Sequence, residues 1–410
     1  MKFCDVWMVL PNRTIGYGDI EISGAKISAI NLKNSNGASY ERLVMPGLVN
    51  AHSHAPMTLV RGLGGGLPLQ RWLEEAIFPV EAKMTKDDVY AGAVWGAMEM
   101  LSSGTTTVAD MYDFPSDCAR AFKETGIKAN LARVGLSFID GRIKECIDFT
   151  RNFSAKNVVA DICIHSEYLT DEKFCRELAA ANREFKRPLN VHVSETKKEH
   201  EECIARHGKT PMQYLAATGI LDYGGYAAHC VYATDDDFKV MREMGVTLVH
   251  NPTSNMKLGS GFARIPEAIA QGVNVALGTD GTASNDNLDM FEEMHLASLL
   301  HKGRLKDPTI MGAWDVIEMA TVNGAKALNR DCSGELKVGD AADLCVIDLK
   351  KPHLMPVLDI PNLIVHSMHG SDVVMTIVNG DIVYDRGQWL KIDQGRAEFD
   401  FKVAVRNLGL

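Results

Sequence analysis

A chain of 410 residues is long enough for one large domain with an appendage, or for two or three ordinary domains. Its 46% hydrophobic and 23% charged residues are a globular balance, and a formal net charge of −10 disfavours nucleic acid and anionic membrane surfaces as partners. No apolar run is long enough to span a bilayer, residues 1–6 open directly as an alternating strand without a signal-peptide core, and nine scattered cysteines with no Cys-x-x-Cys pair fit buried free thiols in a reducing compartment; a cytoplasmic location is expected, and a homo-oligomer is left open.

Residues 6–9, 19–22 and 26–30 alternate as short strands, separated by turns at Pro11-Asn12 and 34–37. From Pro46 the pattern becomes strands alternating with helices. An apolar run over 43–49 leads into His52-Ser53-His54. Thr85, with Asp88 three residues on, predicts a capped helix start; Tyr90, Val94, Ala97, Met98 and Leu101 form its apolar stripe, and Gly104 ends it. Further strands are predicted over 105–110, 127–133, 158–165, 189–193, 225–229, 246–251 and 273–280, with helices such as 171–185 and 234–244 between them. With the His52 strand these make eight units, the pattern of an α/β (β/α)8 TIM barrel. After a helix over 314–328, strands return at 343–348, 373–378 and 381–384, with a turn at Asn379-Gly380. The two chain ends are read as one small β-sandwich, giving divisions at 1–46, 47–332 and 333–410.

A barrel places its chemistry at the C-terminal ends of its strands. Those ends carry His52 and His54, Asp110, Arg133, His165, His192, His229, Asn251 and Asp280. Strand alternation puts His52 and His54 on one face, where two imidazoles can share a divalent metal. Histidines and a carboxylate around an open position suit a zinc-type site, which lowers the pKa of a water toward neutrality. Such a site needs a proton shuttle, and Glu195, three residues past His192, is placed to reach the water without coordinating; its alternative is a helix N-terminal acid.

The stretches Pro46 to His54, His192-Val193-Ser194-Glu195, Ala228-His229-Cys230, His250 to Leu258 and Gly278-Thr279-Asp280-Gly281 together resemble the amidohydrolase superfamily. More closely, they resemble its branch of S-adenosylhomocysteine and 5′-methylthioadenosine deaminases, guanine deaminase and triazine hydrolases. The likeness spans nearly the whole chain, and Gly334 to Leu344 resembles the segment that returns that family to its β-sandwich. It implies one divalent metal, zinc in first place although iron or manganese fit the same ligands, on His52, His54, His192 and Asp280. It implies Glu195 as the shuttle to a ring nitrogen and His229 as hydrogen-bonding the water and the developing alkoxide. Dinuclear relatives carry a carboxylated lysine at the fourth strand; here that strand ends Cys163-Ile164-His165, which points to one metal.

On the substrate side the resemblance implies Glu81 for ribose hydroxyls, His165 near ribose and base, and Arg133 and Arg142 for an amino-acid carboxylate. Trp72 either walls the purine pocket or packs in the core. Glu167 stands where the family has proline, and the 62–66 segment is glycine-rich, a lid or a slack turn. The implied activity is hydrolytic deamination, at C6, of a 5′-substituted adenosine such as S-adenosylhomocysteine, 5′-methylthioadenosine or adenosine itself. The alternatives are a heteroaromatic hydrolase of the triazine or guanine deaminase type and, further off, a metal-free scaffold, which should lack a ligand; none is missing here.

Overall fold

The computed structural model describes residues 1–330 and 332–410. Four strands open the chain: β1 (Lys2–Leu10), β2 (Thr14–Ser23), β3 (Lys26–Leu32) and β4 (Arg42–Pro46). The barrel strands follow as β5 (Leu48–Ser53), β6 (Thr105–Tyr112), β7 (Lys128–Arg133), β8 (Val158–Ala160), β9 (Ile162–Cys163), β10 (Leu189–Val193), β11 (Gly225–His229), β12 (Val246–His250) and β13 (Val275–Leu277). The chain then returns to β14 (Leu344–Asp348), β15 (Val373–Val378), β16 (Asp381–Asp385) and β17 (Gln388–Trp389).

Strands β5 to β8 pair in parallel in sequence order, and so do β9 to β13. β8 and β9 are two halves of one barrel position, so the ring has the eight strands expected of a TIM barrel. The expected unbroken strand over 158–165 is interrupted at Asp161. That buried carboxylate accepts from Asn130 Nδ2 at 2.7 Å, Tyr226 OH at 2.8 Å and Arg187 Nε at 2.9 Å, while its backbone N–H donates to Leu131 O. The strand therefore ends at Cys163, and His165 lies beyond it. The ring closes where β13 meets β5: Asp280 N–H donates to His52 O at 2.9 Å, and a Cβ on Gly278 would sit 2.8 Å from His52 N. Only glycine permits that approach.

Inside the ring, Val49, Ala51, Ala109, Tyr226, Val249 and Ala276 form a small-residue core filled by one tyrosine. Its floor is the Val322–Ala327 helix, whose Ala325 and Ala327 pack against it. The single helix expected over 314–328 is two, Ala313–Met319 and Val322–Ala327. The break is explained by Ala320, whose carbonyl accepts from Val49 N–H at 2.8 Å. The Lys86–Ser102 helix begins as expected, with a Thr85–Asp88 capping box.

The two chain ends form one hydrogen-bonded sheet of eight strands in the order β17-β16-β15-β14-β4-β1-β2-β3. It folds over a shared core that includes Val6, Met8, Ile20, Ile27, Val346 and Ile377. Its two halves are the layers of the sandwich, and Leu344 pairs with Pro46 where they join. Thr376 Oγ1 donates to Leu101 O and Trp389 Nε1 to Met98 O, which ties this sheet to the Lys86–Ser102 helix. Trp95 on that helix stacks at 4.7 Å on Phe401 of the C-terminal Gln394–Asn407 helix. Among the described residues no helix is long and apolar enough to cross a membrane.

Candidate active site

Three strand ends turn through left-handed backbone at residues other than glycine: Ser194 (φ +49°) after β10, His229 (φ +70°) and Cys230 (φ +49°) at β11, and Asp280 (φ +63°) after β13. Such residues resist this conformation, and their clustering at one end of the barrel marks a place where side-chain direction matters more than local ease. The turns aim His229 and Asp280 inward, toward His52, His54 and His192.

One ligand atom from each of His52, His54, His192 and Asp280 falls within 4.8 Å of the others. Asp280 Oδ1 lies 3.1 Å from His54 Nε2 and 3.4 Å from His52 Nε2, and His192 Nε2 lies 3.3 Å from His54 Nε2. Three of these four groups are held from behind. His54 Nδ1 meets Met111 O at 2.6 Å and His192 Nδ1 meets His165 O at 2.7 Å, so both rings donate outward and turn Nε2 lone pairs to the centre. Ser254 and Ser284 donate to Asp280 Oδ2 at 2.6 and 2.7 Å, leaving Oδ1 free. His52 is fully buried and, among the described residues, neither ring nitrogen has a hydrogen-bond partner, an orphaned donor atom facing the cluster.

Burial pushes the His52 imidazole down to about 4 and His192 well below its ordinary range, so both are neutral donors. Burial opposes charge on Asp280, but its contacts with His52 and His54 outweigh it and hold the carboxyl well below the usual carboxylate range. Burial also opposes charge on His54, yet Asp280 raises it to about 9. Three imidazoles and one carboxylate fit one divalent metal ion with an open position.

Glu195 and His229 face the same point, with His229 Nε2 3.9 Å from Glu195 Oε2. Burial raises the Glu195 carboxyl above its ordinary value. His229 Nδ1 donates to Asn255 Oδ1 at 2.8 Å; burial disfavours its charged form, but the carboxylates of Glu195 and Asp280 outweigh this and raise its pKa. Asp110, fully buried, is pushed up to about 7 by burial and accepts from Ala55 N–H at 2.6 Å, just past His54.

His54, His192, Glu195, His229 and Asp280 line one cavity of about 490 Å³, within the ~300–1,000 Å³ range of small-molecule sites. Glu81, Trp72 and His165 line it too. Tyr112 OH donates to Glu81 Oε1 at 2.6 Å, leaving Oε2 without that bond, and burial raises the Glu81 carboxyl. Trp72 is both core and wall: it is 5% exposed, and its Nε1 donates to Leu63 O at 2.9 Å, so it offers the cavity only its ring. The same bond pins the glycine-rich segment, where Gly62, Gly64 and Gly66 all have positive φ. Arg133 and Arg142 stand apart. Neither lines the cavity, and both donate to Asp113. Glu167 does not line it either. It turns into the protein, 3% exposed, and accepts from Arg206 at 2.7 Å and His207 at 3.1 Å. Asn251 is fully buried, and among the described residues its side chain has no hydrogen-bond partner.

Two groups escaped the sequence reading. Glu199 accepts from Ser194 N–H and Glu195 N–H, both at 2.8 Å, and so clamps the strained turn that presents Glu195. Burial, then the Glu195 charge, pushes it up to about 8. Its only signal is an acid in the first turn after the Thr196 cap. Asn255 holds His229 and lay unremarked within the His250 to Leu258 stretch.

A profile of the amidohydrolase family matches residues 43–383. The chain is 45% identical over 374 residues, 90% of its length and 87% of the relative's, to a 5-methylthioadenosine/S-adenosylhomocysteine deaminase of Acetivibrio thermocellus. It is 41% identical over 405 residues, 95% and 93% of the two chains, to a 5′-deoxyadenosine deaminase of Methanosarcina mazei. Its fold matches the crystal structure of an adenosine deaminase from Xanthomonas campestris with bound zinc at a TM-score of 0.91, 28% identity and 99% coverage of both chains. A profile match over most of the chain, relatives at this identity and a convergent donor set at the barrel's C-terminal end lead to one conclusion: the chain belongs to the amidohydrolase family.

Proposed function

We propose that the chain is a metal-dependent aminohydrolase that converts a 5′-substituted adenosine into the corresponding inosine derivative and ammonia. The observation that carries this reading is the convergence of four ligand atoms with Glu195 and His229 on the inner end of a cavity whose wall also presents Glu81. The substrates of the curated relatives support the nucleoside, and the Xanthomonas campestris enzyme supports zinc as the ion on His52, His54, His192 and Asp280.

When bound, such an ion activates water as a nucleophile near neutral pH. The chain's own residues do the rest. Glu195 takes the proton of the attacking water and delivers it to N1 of the purine; its raised pKa suits a group that must accept and then donate. His229 donates its Nδ1–H in a hydrogen bond to Asn255 Oδ1, so a second proton, on Nε2, makes the ring cationic, the form that the nearby carboxylates favour. In that form Nε2–H donates to the oxygen that develops negative charge at C6. The second proton of the attacking water passes through Glu195 to the exocyclic nitrogen, the bond from C6 to that nitrogen breaks, and ammonia leaves as the C6 oxygen becomes the carbonyl. Glu81 Oε2 accepts from ribose hydroxyls, Trp72 walls the base, and His165 lies between base and ribose.

The test is ammonia release across adenosine, 5′-deoxyadenosine, 5′-methylthioadenosine, S-adenosylhomocysteine, guanine and triazines. Adenosine derivatives are expected to be turned over, and Glu195→Gln to keep its metal while losing at least ~100-fold in kcat. Turnover confined to guanine or triazines would overturn the substrate assignment, and near-normal turnover by Glu195→Gln would remove that residue from the mechanism.

A further inference from the structure

The chemistry of the 5′ substituent can be deduced from the outer end of the cavity; this step rests on the nucleoside substrate proposed above. Arg133 closes β7 and Arg142 opens the Arg142–Asn152 helix. Both place Nη1 2.9 Å from the same Asp113 Oδ1, and Glu145 Oε2 lies 2.7 Å from Arg133 Nη2 and 3.2 Å from Arg142 Nε. Two cations and two carboxylates close on themselves with no net charge. Arg142 is 5% exposed, its Nη1 also donates to Val134 O at 2.9 Å, and its side chain does not reach the cavity wall.

The one member of this cluster that lines the cavity is Asp113. The other acids on the wall are Glu81, Glu195 and Asp280, and among the described residues no lysine or arginine lines it. Around Asp113 the outer wall is apolar: Phe78, Phe114, Leu136, Phe138 and Ile139. Phe138 is 68% exposed, Phe78 43% and Phe114 40%, a rim of aromatic rings presented to whatever enters.

We infer that the outer end of the cavity selects an uncharged, apolar 5′ substituent and discriminates against an anionic one, with Asp113 and Glu145 withholding Arg133 and Arg142 from the substrate. A carboxylate tail brought to the mouth meets the like charge of Asp113, the one member of the cluster on the wall. To reach either arginine it must displace a carboxylate already bonded there, an exchange of one anion for another with little gain. An alkyl tail loses only its contact with water, against Leu136 and Phe138.

A matched pair of probes isolates the charge: 5′-S-propyl-5′-thioadenosine and 5′-S-(2-carboxyethyl)-5′-thioadenosine, equal in chain length. kcat/KM is measured on the wild type and Kd on Glu195→Gln, which binds without turning over at speed. The neutral probe is expected to be preferred at least ~10-fold in both, the scale of one charged contact. In Asp113→Asn and in Glu145→Gln an arginine is left unmatched, and the preference is expected to fall at least ~3-fold. Equal or better use of the carboxyethyl probe by the wild type overturns the inference while leaving the deaminase reading intact. So does an unchanged ratio in both variants while the propyl probe is still turned over. If neither probe is turned over but the propyl compound still binds more tightly, the substrate assignment fails and the charge selectivity stands. Should a variant fail to fold, the wild-type ratio decides.

Discussion

At the inner end of the cavity four polar groups that face the centre are each steadied by another behind: His54 by Met111, His192 by His165, His229 by Asn255, Asp280 by Ser254 and Ser284. At the outer end Arg133, Arg142, Asp113 and Glu145 are held by one another, and the surface left for a ligand is largely aromatic. The first arrangement directs unspent lone pairs and donors at one point in a buried place, where electrostatic effects are strong and little reorganisation is needed. The second cancels charge and leaves transfer from water to do the sorting. Damage to the inner end should therefore appear in metal content and kcat, and damage to the outer end in KM and in the choice of substrate.

The largest effect is expected from His192→Ala. Wild-type protein should purify with close to one equivalent of divalent metal, and this variant should lose most of it together with its activity, read by elemental analysis and ammonia release. Two tightly held equivalents at full activity would break the single-metal reading. A smaller effect is expected from Glu199→Gln, which replaces one of the two oxygens that clamp Ser194 and Glu195. Metal content should be unchanged, while kcat falls about 10- to 100-fold, the scale of losing a supporting contact, and KM moves little. A parallel fall in metal and melting temperature would mark Glu199 as scaffold only. The smallest effect is expected from Phe138→Ala at the rim: about fivefold in KM for a 5′-thioalkyl substrate, from the ~1 kcal/mol of an aromatic contact, with kcat unchanged. A loss in kcat there would show that the two ends are not separable.

The inner end was legible because its groups sit where local rules speak. His52 and His54 alternate at the end of one strand, and His192, His229 and Asp280 each end an apolar run, or follow it closely, in a repeating strand–helix pattern. The Lys86–Ser102 helix announced its start through Thr85 and Asp88, a contact three residues long. Element ends were less legible. The fourth barrel position breaks at Asp161 because Asn130, Arg187 and Tyr226, far apart in the chain, meet there. The 313–327 helix breaks at Ala320 because its carbonyl is claimed by Val49.

The sequence by itself determined the eight strand–helix units, the donor types at their ends and the position of Glu195 beside them, since alternation, capping and the strand-end rule act over a few residues. Only the tertiary structure decided which charges are already satisfied. Glu167 stands beside His165 in the chain yet faces away from the cavity, because Arg206 and His207, 39 and 40 residues on, supply its partners. Arg133 and Arg142 sit at the end of a strand and just beyond, as substrate-binding arginines would, yet Asp113, 20 and 29 residues away, answers both. A charge's partner is whatever the fold brings within about 4 Å, and no local pattern encodes that distance.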